Sequence, residues 1–225
     1  MKSVIAVGIA LVVVLVGGWF GDGWLRSAVE ERVENAINEA YPGLHETSAS
    51  VAGRFVTTQL VAGSLDDVTI SAAELIVDGF AVTDITISAQ GLPTRGADAI
   101  SQVTAQGMVP TRTVLAAIDR RVSVPAGVEL ELRDGELAAV ADILGVEAAA
   151  YATMVAQPRA IDVEVNRITL GGVEIAADQV PIDLSGILTA AAVSLEDLPP
   201  GVELVDMTVS DDGISLTLTG SDIRL

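Results

Sequence analysis

The chain contains no cysteine. Disulfides, a thiolate nucleophile, lipid attachment through a thiol and Cys-ligated zinc or iron–sulfur clusters are therefore all excluded. Aromatic residues make up only 3% of the 225 residues, although 50% are hydrophobic. The interior is thus aliphatic and β-branched, a composition that suits strands. Basic residues are scarce too: 12 Lys plus Arg stand against 31 Asp plus Glu, a formal net charge of −19. Phosphate binding along a nucleic acid needs a basic face, so the charge speaks against nucleic acid as a partner. It also speaks against bulk steering towards anionic lipid head groups. With 21 Gly and 8 Pro the chain is neither low-complexity nor collagen-like. Its apolar content is enough for a sizeable core, which excludes disorder along the whole chain.

Catalytic chemistry is hard to assemble from what is left. His45 is the single histidine, set in a short polar stretch, and reads as an exposed loop residue rather than a general base. The nucleophile elbow Gly-x-Ser-x-Gly is absent; Leu184-Ser185-Gly186 lacks the upstream glycine. No His-Glu-x-x-His and no calcium loop occurs. Asp66-Asp67, Asp206 and Asp211-Asp212 read as solvated turn acids. No Gly-rich phosphate loop or dinucleotide fingerprint is present. The expectation is a chain with no catalytic residues, no metal and no cofactor.

The N-terminus carries an export or anchoring signal. Lys2 precedes an unbroken apolar or glycine run from Val4 to Val16, which Gly17 to Gly21 extends up to Asp22. A signal-peptide core needs roughly 7–15 apolar residues and a spanning helix about 20, so the run fits both readings. Trp19 and Trp24 suit an interfacial anchor at its outer end. Residues 1–24 are thus a cleaved signal peptide or an uncleaved membrane anchor. Either reading places the rest of the chain in the periplasm or at the outer face of the cytoplasmic membrane.

The body starts with a helix and continues mostly as β. Leu25, Val29, Val33, Ala36, Ile37 and Ala40 fall at helical spacing over 24–41, and Pro42-Gly43 ends the pattern. From residue 46 the period becomes two. Val68 and Ile70, Ile85 and Ile87, Val128 to Leu132, Ile161 to Val165, and Ile214 to Leu218 each alternate with polar residues. Asp78-Gly79, Asp134-Gly135, Gly171-Gly172 and Asp212-Gly213 read as hairpin turns, so the sheet is largely antiparallel. Helical spacing returns at Thr111 to Arg121 and at Ile182 to Val193. Each of these helices is followed by a similar phrase, Pro125-Ala126-Gly127-Val128-Glu129-Leu130 and then Pro200-Gly201-Val202-Glu203-Leu204, 74 residues apart. That is a weak internal repeat of duplicated-half type rather than a solenoid. No linker composition splits residues 25–225, which read as one domain.

A sheet with one apolar face must cover that face. Helices can fill it, giving a solid core, or the sheet can enclose a hollow that accepts an apolar ligand. Periodicity leaves both open.

A resemblance bears on that choice. The ending Leu198-Pro199-Pro200-Gly201-Val202-Glu203-Leu204, Met207-Thr208-Val209, Asp212-Gly213-Ile214 and Leu216-Thr217-Leu218-Thr219-Gly220 resembles that of the LmeA-type phospholipid-binding proteins of actinobacterial cell envelopes. Phe55, Thr58, Gln59, Leu60 and Gly63 resemble the family's other marked stretch, with Arg54 where proline is usual. The resemblance spans roughly 25–225. It implies an α+β fold of tubular lipid-binding type, a half barrel in which a long N-terminal helix is wrapped by a strongly curved antiparallel sheet, with two shorter helices. It also implies non-catalytic phospholipid binding or carriage in the envelope, supporting envelope lipid or lipoglycan maintenance. The alternative is a solid-core envelope scaffold that binds protein or glycan. Under the lipid reading the expected apolar lining is Val68, Ile70, Ile85, Ile87, Leu115, Ile118, Val128, Leu130, Ile187 and Leu188. Candidates for a head-group rim are Arg54, Arg95, Arg112, Arg120 and Arg121. Expected partners are phospholipid and, through residues 1–24, the cytoplasmic membrane; no oligomeric state follows.

Overall fold

A computed structural model describes residues 44–52, 59, 61–77, 80–93, 99–176, 182–196 and 198–223. The segment 1–24, the helix expected over 24–41, Arg54, Arg95 and the Asp78-Gly79 turn lie outside the described residues. The chain forms two compact units, the first drawn from Met1–Met108, Asp197–Glu203 and Thr217–Leu225, the second from Val109–Glu196 and Leu204–Leu216.

The first unit is built on long antiparallel strands. These are β1 (Leu44–His45), β2 (Ser48–Ala52), β3 (Ser64–Val77), β4 (Phe80–Pro93) and β5 (Ile100–Pro110). β1 and β2 pair in tandem with β3, β3 pairs with β4 and β4 with β5. The order closes with β13 (Gly213–Ile223) and β12 (Val202–Ser210), strands whose residues are divided between the two units. The β4–β5 register shifts between Thr83 and Thr86. Asp84 sits there with φ +52°. Such a bulge bends the strand and increases its local twist.

The second unit holds α1 (Thr111–Asp119), β6 (Val128–Arg133), β7 (Glu136–Ile143), β8 (Val146–Gln157), β9 (Ala160–Leu170), β10 (Val173–Glu174), α2 (Leu184–Thr189) and β11 (Val193–Ser194). Its sheet runs β10-β9-β8-β7-β6, with β11 also on β9. Tight turns connect the strands as expected at Asp134-Gly135 and Gly171-Gly172, where all four residues have positive φ. A further such turn, Leu144-Gly145, carries no Asn or Asp signal and was not expected from the sequence. The β12–β13 turn falls on Asp211-Asp212, one residue before the predicted Asp212-Gly213. Within the second unit that turn is tied down. The Thr111 N–H donates to the Asp212 carbonyl at 2.9 Å, the Thr111 hydroxyl to the Asp211 carbonyl at 2.6 Å, and the Asp134 N–H to Asp211 Oδ1 at 3.0 Å.

The repeated phrase has a common physical basis. The Val128 N–H donates to the Pro125 carbonyl and the Val202 N–H to the Pro199 carbonyl, both at 3.1 Å. The glycine before each valine has nearly the same φ, +87° at Gly127 and +84° at Gly201. Each phrase is thus a four-residue turn whose third position needs a left-handed glycine, and it launches an outermost strand of its sheet.

The expected fold is corrected. The structure is mostly β, with two antiparallel sheets, neither of them closed, and no long helix wrapped by a sheet among the described residues. The reason lies in the second unit: β6–β10 close their apolar face with a helix of their own and do not extend the first sheet into one curved wall. The first short helix keeps its predicted start and ends two residues early, whereas the second covers only Leu184–Thr189 of the predicted Ile182 to Val193, and Val193 begins β11. Among the described residues no helix is long and apolar enough to cross a membrane.

Candidate functional site

Residues directly opposite one another across antiparallel strands share a sheet face, so the register shows which side chains form each row. In the first unit one row is Val51, Val68, Ala89 and Val103, and the next is Ala49, Ile70, Ile87 and Ala105. Ala72 and Ile85 begin a third. Val68, Ile70 and Ile87 are buried, whereas Ile85 is half-buried beside the bulge. Four of the predicted lining residues therefore lie on one continuous apolar face. The described elements of this unit are all strands.

The other six are in the second unit. Its rows are Val128, Ala141, Ala148 and Leu170, then Leu130, Ala139, Ala150 and Ile168, then Leu132, Leu137, Ala152 and Val165. Alanine fills the centre of the sheet, which lets a helix approach closely. α2 packs across β7, β8 and β9 with Leu184, Ile187 and Leu188 buried. The Asp183 carboxylate caps it, accepting from the Gly186 N–H at 2.8 Å. α1 packs on β6, with Val114 and Ile118 buried and Leu115 half-buried. The ten lining candidates are thus two groups, four on the first unit's sheet and six on β6, α1 and α2 of the second unit.

The opposite face of the second sheet is charged but internally paired. The Arg167 guanidinium lies 4.0 Å over the Tyr151 ring and pairs with Glu136 at 2.7 Å. Arg133 pairs with Glu131 at 2.6 Å and donates to the Tyr151 hydroxyl at 3.3 Å. That hydrogen bond is the main cause holding the Arg133 guanidinium above its ordinary pKa. These side chains close over Ala138 and Ala149 and have no charge left over for an anion. Of the rim candidates, Arg112, Arg120 and Arg121 are exposed on and just after α1, each already engaged in an interaction.

The two stretches that carried the family resemblance both contribute to the first unit. Gln59 is buried, and its side chain donates to the Ala52 carbonyl at 3.4 Å and accepts from the Asp66 N–H at 3.1 Å. It clamps the end of β2 to the start of β3. The Pro199-Pro200-Gly201 turn and the Thr219-Gly220 end of β13 build a polar cleft of about 320 Å³. Ser101, Gln102, Gly201, Glu203, Thr219, Gly220 and Ser221 line it. A Cβ on Gly201 would come within 2.8 Å of the Ser221 carbonyl oxygen, so glycine is what lets the two strands approach there. Sequence reasoning missed both features. A glutamine and two glycines carry no chemical signature until the register places them.

His45 is exposed on β1, opposite Glu74. Among the described residues no cluster of three or more His, Asp or Glu could hold a metal ion. A family model described as LmeA-like phospholipid-binding matches residues 20–219. No curated protein and no solved structure matches the chain.

Proposed function

We propose, from the premise that the chain belongs to the LmeA-like phospholipid-binding family, that it holds or carries phospholipid without reacting with it. The observation that carries this reading is the continuous apolar face of the first unit, on which Val68, Ile70 and Ile87 stand in adjoining rows. An acyl chain laid along it contributes about 0.8 kcal/mol per buried methylene, so one or two chains suffice for tight holding. Glu203 in the cleft disfavours a bare phosphate there and suits an uncharged or cationic polar group. The second unit takes no lipid in this reading, because α2 already fills its apolar face. Lys2 and the apolar run after it support export, to the periplasm or the outer face of the cytoplasmic membrane, with residues 1–24 cleaved or kept as an anchor. Maintenance of envelope lipids or lipoglycans is the role that follows.

The test is native mass spectrometry of the full chain purified without detergent, with organic extraction of the same sample. The expected result is a discrete mass excess that matches a stoichiometric phospholipid. A clean ligand-free mass, unchanged after incubation with liposomes, would sink the proposal in favour of a solid-core scaffold.

A further inference from the structure

At one end of the second unit's sheet two tight turns stand side by side. Leu144-Gly145 joins β7 to β8, closed by Ile143 opposite Val146. Gly171-Gly172 joins β9 to β10, closed by Leu170 opposite Val173. The Gly171 N–H donates to the Glu147 carbonyl at 2.8 Å, and a Cβ on Gly171 would lie 3.3 Å from Val146 Cγ1, so the turns touch. Both present apolar side chains to solvent: Leu144 is 100% exposed, Val173 66% and Val146 42%. Leu144 also has φ +55°, left-handed backbone that a two-residue hairpin normally gives to Asn, Asp or Gly. The other non-glycine residues at positive φ among those described are Glu46, Asp84, Asp134 and Asp222, all acidic. A leucine in that place helps neither the turn nor the core. Its exposed side chain is therefore suited to a partner outside the chain.

We infer that this tip docks on a phospholipid bilayer, with Leu144, Val146 and Val173 entering the interfacial layer. The inference rests on the phospholipid reading above and adds the surface by which the chain meets its lipid source. Charge decides between partners. Asp142, Glu147 and Glu174 are exposed around the tip, and Asp142 Oδ1 accepts from the Gly145 N–H at 2.8 Å. A second copy docking through the same tip would set these carboxylates against themselves, and an anionic lipid surface would repel them. A zwitterionic surface can take the apolar tip while the carboxylates stay in water.

The absence of native cysteine makes the test clean. Leu144→Cys in the full chain is labelled with an environment-sensitive nitrobenzoxadiazole dye, and Asp162→Cys, at an exposed position on β9, serves as control. On adding phosphatidylcholine vesicles, emission from position 144 moves to the blue and is quenched by spin-labelled lipid, while position 162 stays unchanged. No shift at 144, an equal shift at 162, or a shift at 144 only on phosphatidylglycerol vesicles would each overturn the inference. A second variant, Leu144→Asn, suits the turn and folds at least as well. It slows phospholipid transfer between vesicles about fivefold by removing one apolar anchor, with bound lipid per protein unchanged; transfer at the wild-type rate would also overturn it. Bound phospholipid measured on the unmodified chain keeps the two readings apart. Lipid with a silent tip sinks docking alone, and an inserting tip with no lipid sinks carriage alone.

Discussion

The first unit's two apolar rows mix branched residues with alanine, as Val51-Val68-Ala89-Val103 and Ala49-Ile70-Ile87-Ala105, whereas the two central strands of the second put alanine at 139, 141, 148, 150 and 152 without a break. Both sheets are antiparallel, but β7 and β8 of the second are buried on both faces at their centre. The difference is the size of the side chains at the centre of the sheet. Alanine leaves room for a helix, and α2 takes that room with Leu184, Ile187 and Leu188. An alternating pattern therefore fixes which face is apolar, while residue volume along the row bears on what covers it.

The largest expected effect tests the filled side of this comparison. Leu188→Ala opens a cavity under α2 and lowers stability by about 2–5 kcal/mol. Urea denaturation reads the loss. The folded fraction keeps its bound phospholipid if, as proposed, lipid lies on the other unit. An unchanged unfolding midpoint would mean that α2 is not what seals the second sheet.

Gln59→Ala comes next. It leaves the Ala52 carbonyl and the Asp66 N–H without the side-chain partner that joins β2 to β3. The expected cost is about 1–3 kcal/mol. Gln59→Glu keeps the acceptor for Asp66 but not the donor for Ala52, so it falls between wild type and alanine. Equal stability for all three would remove the clamp.

Much of this was legible in the sequence, and the limits have physical causes. Strand alternation located parts of β3, β4, β6, β9 and β13, and Asp134-Gly135 and Gly171-Gly172 marked the ends of β6 and β9, because a one-residue slip would expose every apolar side chain on such a strand. β5, β7 and β8 were not located this way, and β7 and β8 are buried on both faces at their centre. Both short helices showed at Val114, Leu115 and Ile118 and at Leu184, Ile187 and Leu188. The half-repeat was visible because its turn needs Gly127 and Gly201. The grouping of strands was not legible: whether β6 pairs onto β7 alone or extends the first sheet depends on long-range closure, which no local period records. For the same reason the ten lining candidates looked like one set and fall into two. The Leu144-Gly145 turn was hidden because leucine is the residue turn chemistry advises against. The cleft was hidden because serines, threonines and glycines scattered from Ser101 to Ser221 signal nothing until β5, β12 and β13 bring them together.

Paired tryptophan substitutions set the two sheets against each other at intermediate cost. Ile70→Trp, at a buried position on the first sheet, lowers bound phospholipid about tenfold by filling the proposed acyl path, and costs about 1–3 kcal/mol of stability. Leu130→Trp, at a half-buried position on β6 of the second sheet, costs about 1 kcal/mol and leaves bound lipid as it was. Native mass spectrometry and thermal unfolding on the same preparations separate the two. Parallel losses in both variants would mean that both faces are filled, and the contrast between the units would vanish.

The smallest effect probes how much of the second unit's closure rests on a single cap. Asp183 accepts from the Gly186 N–H at 2.8 Å and starts a helix of only six residues. So short a helix cannot stand on its own propensity and depends on packing and capping. Asp183→Ala removes the acceptor and costs about 1 kcal/mol, within the range for lost caps. Asp183→Asn keeps an acceptor at the same reach and costs less. Hydrogen exchange is the sharper readout: the Gly186 amide gains exchange in the alanine variant, while the amides of β3 and β4 keep wild-type protection. If β3 and β4 lost protection as well, the sheets would open together, and closure of the second could no longer be assigned to its own helix.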